Sequence, residues 1–179
     1  MSILKVSRMG HPVLRKRTAL IQPDDINTSS MQHLIDDMFD TMNEYIGIGL
    51  AAPQVHQELR LFVAGVDDPD STMQPVVMIN PEIEVIGEET EEDWEGCLSI
   101  PDIRGKVLRA KDIRVRSLDR HGKLQQITAT GFPARVIQHE TDHLNGILFV
   151  DRMTSFESLT FLEEYGRYWD SDSVSDSDG

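Results

Sequence analysis

Residues 132–146, FPARVIQHETDHLNG, combine helical apolar spacing with a cluster of side chains that bind metal ions. Val136, Ile137 and Leu144 recur on one face, Pro133 is tolerated in a first turn and Gly146 suits an end. A helix buried on one side is therefore expected over Pro133–Leu144. Within it H-E-x-x-H places His139 and His143 one turn apart on one face, with Glu140 beside the space they define. Two imidazoles do not close a site. A catalytic divalent ion takes a third protein ligand and keeps one position open for water, so the reading turns on where that ligand comes from.

Three schemes offer it. The extended pattern H-E-x-x-H-x-x-G-x-x-H is met at Gly146 but ends on Phe149, which has no lone pair to give. A carboxylate from a following helix, Glu163 or Glu164 in FLEEYGRY, would make a small zinc protease. The third scheme uses Cys97, in WEGCLSIP, where Gly96 permits close backbone approach and a bound metal would deprotonate the thiol. Spacing leaves the second and third open.

Outward from this segment the chain changes character. Met31, Leu34, Ile35, Met38, Phe39, Met42 and Ile46 recur at helical spacing, which predicts a helix over Thr28–Tyr45, capped by Ser29 or Ser30 and ended at Gly47. Before it, Gly10, Pro12 and Pro23 argue for an extended arm with turns. Between Leu59 and Thr130 the runs LRLFVAGV, VVMIN, EIEVI, GCLSI, KVLRA, IRVRSL and LQQITAT read as strands, with DRHG (Asp119–Gly122) as a hairpin turn. A last helix is expected over Ser155–Trp169. Helix, then strands, then helices, without regular alternation, gives an α+β fold: small antiparallel or mixed sheets around a central metal-binding helix, with an N-terminal and a C-terminal helix.

The chain has 179 residues and 39% hydrophobic content, enough for one core, so a single catalytic domain over 1–169 is expected with an acidic, disordered tail over 170–179. The formal charge is −14, which disfavours a broad nucleic-acid interface and direct DNA binding. No signal peptide or membrane-spanning run is apparent, so a soluble, cytoplasmic protein is expected. One cysteine excludes an internal disulfide. His11, His33, His56 and His121 lie outside the motifs and read as surface or turn residues, while Trp94 reads as a buried strand residue or a cleft wall. Asp142 and Glu95 are candidates to orient ligands or to pair with arginines such as Arg109.

A third segment joins the two metal-binding ones: GIGLAAPQ, Gly47–Gln54. With EGCLS and QHETDH, and with GHPVLR near the start, it resembles the peptide deformylases over about Ile3–Arg152, in order and in spacing. The resemblance implies removal of the formyl group from the initiator methionine of nascent chains, releasing formate. It implies one divalent ion per chain, held by Cys97, His139 and His143: ferrous iron natively, with zinc, nickel or cobalt possible in purified protein. Glu140 would be the general base for attack by metal-bound hydroxide, and Gln54 and the Leu98 N–H the oxyanion donors. Ile48 and Gly49 would line the cleft. The context DWEGC and GFPARVIQHE is similar to a different subgroup from the best-known bacterial members, so Phe132, Arg135 and Val136 should shape the methionine pocket differently. Family members often carry a basic C-terminal helix associated with ribosome docking. Here that segment is acidic, so any transient ribosome association would use another surface.

Overall fold

The computed structural model describes residues 2–65, 67 and 71–170. From residue 171 on, the acidic tail expected above lies outside the described residues. The N-terminal arm runs into a 3-10 turn at Pro12–Arg15 and a short helix α1 (Pro23–Ile26), each begun by a proline with no N–H to leave unpaired. Helix α2 (Ser29–Glu44) follows. Its N-cap is Thr28, one residue before the serines expected to cap it, with Oγ1 accepting from the Met31 N–H at 3.4 Å. Its other end differs more. Ile46 N–H bonds the Asn43 carbonyl and Gly47 N–H the Met42 carbonyl, so the left-handed position of this Schellman turn falls on Ile46 (φ 55°), not on the glycine after it.

The strands are β1 (Gly49–Ala51), β2 (Leu61–Ala64), β3 (Val76–Val85), β4 (Thr90–Cys97), β5 (Ile100–Ala110), β6 (Asp112–Leu118) and β7 (Leu124–Thr130), followed by α3 (Phe132–Leu144), β8 (Thr160–Phe161) and α4 (Leu162–Tyr168). Two antiparallel sheets result, ordered β1-β2-β3-β6-β7 and β4-β5-β8. VVMIN and EIEVI are one strand with an irregularity between Ile79 and Glu82. GCLSI is not a strand but the turn of the β4–β5 hairpin, with Cys97 opposite Ile100. The final helix is shorter than its periodicity suggests: the chain turns at Phe156–Leu159, Ser158 Oγ accepts from the Lys106 N–H at 3.0 Å, and Thr160 and Phe161 pair with Arg104 and Ile103, so the helix begins only at Leu162.

One core lies between α2 and β1–β3, built on Ile35, Met38, Leu50 and Leu61. A second joins the other face of the five-stranded sheet to α3 through Phe62, Met78, Ile113 and Ile137. A third, with Leu14, Val107 and Phe149, lies under the smaller sheet. Helix α3 is buried not on one side but nearly all round, including Arg135, His139, Glu140, Asp142 and His143. Buried polar groups persist only when paired, and their partners define the site.

Candidate metal centre

Cys97 arrives at the tip of the β4–β5 hairpin, and His139 and His143 arrive on consecutive turns of α3. Their candidate ligand atoms all lie within 4.8 Å of one another, and all three residues are buried. Cys97 Sγ is 3.2 Å from His143 Nε2. Phe149, the position at which the extended motif fails, stacks on His139 with ring centroids 6.3 Å apart. Glu163 and Glu164 are on α4 and stand outside this cluster, and Glu164 pairs with Arg167 at 2.9 Å, so the carboxylate-ligand scheme has no geometric support.

Whether these residues fit a divalent ion is decided by the atoms around them. His139 Nδ1 lies 2.9 Å from Glu95 Oε2, which leaves the other ring nitrogen for the cluster. Glu140 Oε2 and His143 Nδ1 are buried with no hydrogen-bond partner among the described residues. Burial pushes the Cys97 thiol up, but the imidazoles of His143 and His139 outweigh it and hold the thiol well below its usual range. Burial acts against charge on His139 too, yet the thiolate and Glu95 hold it well above its usual range. A thiolate and two imidazoles in van der Waals reach form a soft N2S donor set suited to a tetrahedral divalent ion with one open position. Burial raises the carboxyl of Glu140 to about 7, against the pull of His139 and His143.

Around the donors lies a charged frame. Glu95 Oε1 accepts from Arg109 Nε and Arg135 Nη1, both at 2.9 Å, and Oε2 accepts from Arg109 Nη2 at 3.0 Å. Asp142 accepts from Arg109 Nη1 at 2.5 Å and from Arg152 Nη2 at 2.7 Å. Burial raises Glu95, but the hydrogen bonds from His139 and Arg109 hold it far below the usual carboxylate range. Arg135 borders the cavity, yet its guanidinium donates to Glu95 and to the carbonyls of Val107 and Glu91, fastening α3 to the smaller sheet.

The cavity beside the donors has a volume of about 770 Å³. Ile48, Gly49, Gln54, Leu98, Phe132, Val136 and Glu140 all border it. Gln54 is fixed at both ends: Oε1 accepts from the Ala51 N–H at 2.7 Å, while Nε2 donates to Ser99 Oγ at 3.2 Å and faces Cys97 Sγ at 3.5 Å. Two glycines make room for these side chains. A Cβ on Gly49 would stand 2.3 Å from Glu140 Oε1, and one on Gly96 would stand 2.0 Å from Arg104 Nη1. Sequence reading missed Arg104 and Leu162, which also border the cavity. Gly96 beside the cysteine was a signal for the first; the second comes from α4, whose packing no local pattern reveals. His33, His56 and His121 are exposed, as is His11, which caps the first 3-10 turn.

The polypeptide deformylase family model matches residues 3–158. Peptide deformylase 2 of Nostoc sp. is 45% identical over 170 residues, covering 91% of this chain and 93% of the relative. Peptide deformylase of Salinibacter ruber is 45% identical over 163 residues, covering 86% and 82%. Among solved structures, peptide deformylase from Thermotoga maritima superposes with TM-score 0.79 at 40% identity, covering 87% of this chain and 100% of that one. The class I type b enzyme from Acinetobacter baumannii with Met-Ala-Ser bound gives 0.80 at 40% identity, covering 85% and 99%, and the same enzyme is known with actinonin bound. With a three-donor centre in place and matches of this extent, the chain belongs to the polypeptide deformylase family and its activity is that of a peptide deformylase.

Proposed function

We propose that this chain removes the N-formyl group from the initiator methionine of nascent polypeptides and releases formate, with Glu140 as general base beside a divalent ion held by Cys97, His139 and His143. The observation that carries the reading is that the donor set, through Cys97 and His139, borders the same cavity as the buried Glu140 carboxylate and the anchored Gln54 amide. An ion bound there lowers the pKa of a coordinated water to roughly 7 and polarises a carbonyl oxygen.

The chain's own residues do the rest. Glu140 takes the proton of the attacking water and returns it to the departing amine, which a carboxyl raised to about 7 is suited to do in both directions. Gln54 Nε2 and the Leu98 N–H donate to the developing oxyanion, and donors of this kind contribute about 3 kcal/mol each. Ile48 and Gly49 align the peptide backbone, while Phe132, Arg135 and Val136 shape the pocket for the methionine side chain. The substrates are formyl-methionyl peptides, in keeping with the Met-Ala-Ser complex of the Acinetobacter relative.

Ferrous iron is the proposed native metal. Zinc, nickel and cobalt suit the same donors and would occupy the site according to supply. The place of action is the cytoplasm; among the described residues no helix is long and apolar enough to cross a membrane. Any transient contact with ribosomes does not run through α4, whose charged residues are Glu163, Glu164 and Arg167. The test is formate release from formyl-Met-Ala-Ser by anaerobic, metal-analysed protein. Absence of formate from fully metallated protein overturns the activity, and full metal and activity in Cys97→Ser overturns the thiolate ligand.

A further inference from the structure

An open sheet edge invites a further strand unless it is short, charged or irregular. Three of the four outer strands meet one of these conditions. Strand β1 is three residues long, and its Gly49 borders the cavity. Strand β8 has two residues. Strand β4 exposes Glu91, Glu92 and Asp93. Strand β7, LQQITAT, has none of these protections: it runs for seven residues without a charge, a proline or a break in its register with β6. It does so in a chain of net charge −14.

Pairing with β6 uses only alternate residues of β7. Asp119 N–H donates to the Lys123 carbonyl at 2.9 Å and Gly131 N–H to the Lys111 carbonyl at 2.8 Å, so the odd-numbered residues bond β6. The N–H and C=O groups of Leu124, Gln126, Thr128 and Thr130 therefore point away from the sheet, and no described residue bonds them. The side chains of these four residues are exposed, Leu124 by 60%. Ile127 lies on the other face, where it packs against the second core but is only partly buried. The strand is also complementary to itself. A second copy turned about a two-fold axis at Ile127 sets Leu124 opposite Thr130, Gln125 opposite Ala129 and Gln126 opposite Thr128. Every outward N–H of one copy then meets an outward C=O of the other along the whole strand. The two Ile127 side chains meet in a position without hydrogen bonds, where cross-strand neighbours come closest.

We propose that β7 is the interface of a two-fold dimer of this chain, in which it pairs antiparallel with β7 of a second copy and joins the two five-stranded sheets into one. A second copy is the occupant that brings a matching strand, in full-length register, at the protein's own concentration. Charge points the same way. Two bodies of −14 repel each other, and a strand with no charged side chain is where they approach at least cost. Screening by salt therefore favours this dimer, the reverse of an association held by ion pairs.

The experiment is sedimentation equilibrium on wild type and Thr128→Lys over a range of concentrations. Wild type should reach twice the chain mass of 20.3 kDa, and Thr128→Lys should stay at that mass. The lysine leaves the bonds to β6 in place and sets two like charges close together at the centre of the proposed pairing. Far-UV circular dichroism checks that the variant is folded. Raising ionic strength from about 0.01 M to about 0.15 M shortens the screening length from about 30 Å to about 8 Å and should increase the dimer fraction of wild type. Ile127→Cys tests the register without a charge: treated with the thiol oxidant diamide, it should form a disulfide-linked dimer, with wild type, whose one thiol is the buried Cys97, as the control. A wild type that stays monomeric overturns the proposal. So does a dimer that survives Thr128→Lys, one that dissociates as salt is added, or one that Ile127→Cys does not link. None of these results bears on formate release, so the deformylase reading stands or falls separately.

Discussion

Gly49→Ala tests whether Glu140 must stand where it does. The added Cβ would lie 2.3 Å from Glu140 Oε1, 2.7 Å from Cδ and 2.8 Å from Cγ. Ordinary contact needs about an ångström more, so something must move. Gly49 is held in β1 by its pairing with Ala64, whereas Glu140 Oε2 has no hydrogen-bond partner to tether it. The carboxylate therefore yields by about 1 Å, and if Glu140 is the general base proposed above, a displacement of that size lowers the rate by about 100-fold. That corresponds to about 2.7 kcal/mol in the barrier. The ligands Cys97, His139 and His143 are not among the atoms met by the new Cβ.

The assay is formate release under saturating formyl-Met-Ala-Ser, with metal content measured on the same sample. We expect kcat to fall about 100-fold with the metal-to-protein ratio unchanged. In a Glu140→Gln background the same substitution should add almost nothing, because groups that act through one another are not additive. A Gly49→Ala enzyme that is fully metallated and within about threefold of wild-type kcat refutes the reasoning, since a misplaced base would then be harmless. Equal losses in the Glu140 and Glu140→Gln backgrounds refute it as well.

The remaining predictions concern the frame. Glu95→Gln should weaken metal affinity about 10- to 100-fold through His139, as measured by competition with a chelator. The Glu95 carboxylate is held below its ordinary value of 4.5, so its contribution to stability is present above that pH and is lost as pH falls below it. Urea unfolding should therefore show wild type losing more stability than Glu95→Gln as pH falls from about 5 to about 3, and parallel curves would count against the linkage. Asn80 has φ 52° and bonds both the N–H and the carbonyl of Ile21, at 3.0 and 2.9 Å; Asn80→Ala should cost about 2–3 kcal/mol in the same assay. Ile46→Gly should raise stability by about 0.5–1 kcal/mol, because a β-branched residue at positive φ that is 92% exposed has strain to release and little packing to lose.

How much of this was legible beforehand differs from element to element, for physical reasons. Helix α3 carries its own periodicity, and the strand LQQITAT is β7 from first residue to last. Strand β4 (TEEDWEGC) was not legible beyond its end, since its first four residues are exposed and acidic or polar, and what makes it a strand is its pairing with β5 from Thr90–Ala110 to Glu95–Gly105. The overlong C-terminal helix fails for the same kind of reason: an edge of β5 captures Thr160 and Phe161 before the helical pattern can take effect. In the site, the two histidines and Glu140 follow from spacing along one helix, whereas Cys97 and Gln54 are brought to them from a hairpin tip and a 3-10 turn, and only tertiary structure does that.

The centre holds two buried carboxylates treated in opposite ways, and this contrast argues for their roles more strongly than the motif does. Glu95 is pinned by four charged or ring donors from Arg109, Arg135 and His139, which favour its ionised form and fix its orientation. Such a group cannot exchange protons near neutrality; what it does is set the tautomer of His139 and hold that ring toward the cluster. Glu140 is equally buried but has an oxygen without a partner, room made for it by Gly49, and a carboxyl raised to about 7. A group that is to take and return a proton needs that freedom and that poise. Exchanging the environments should exchange the functions: a hydrogen-bond donor introduced beside Glu140 Oε2 should lower its pKa and slow turnover while leaving metal binding in place. If the added donor leaves the pH profile of kcat/KM where it was, the freedom of Glu140 is incidental to its work.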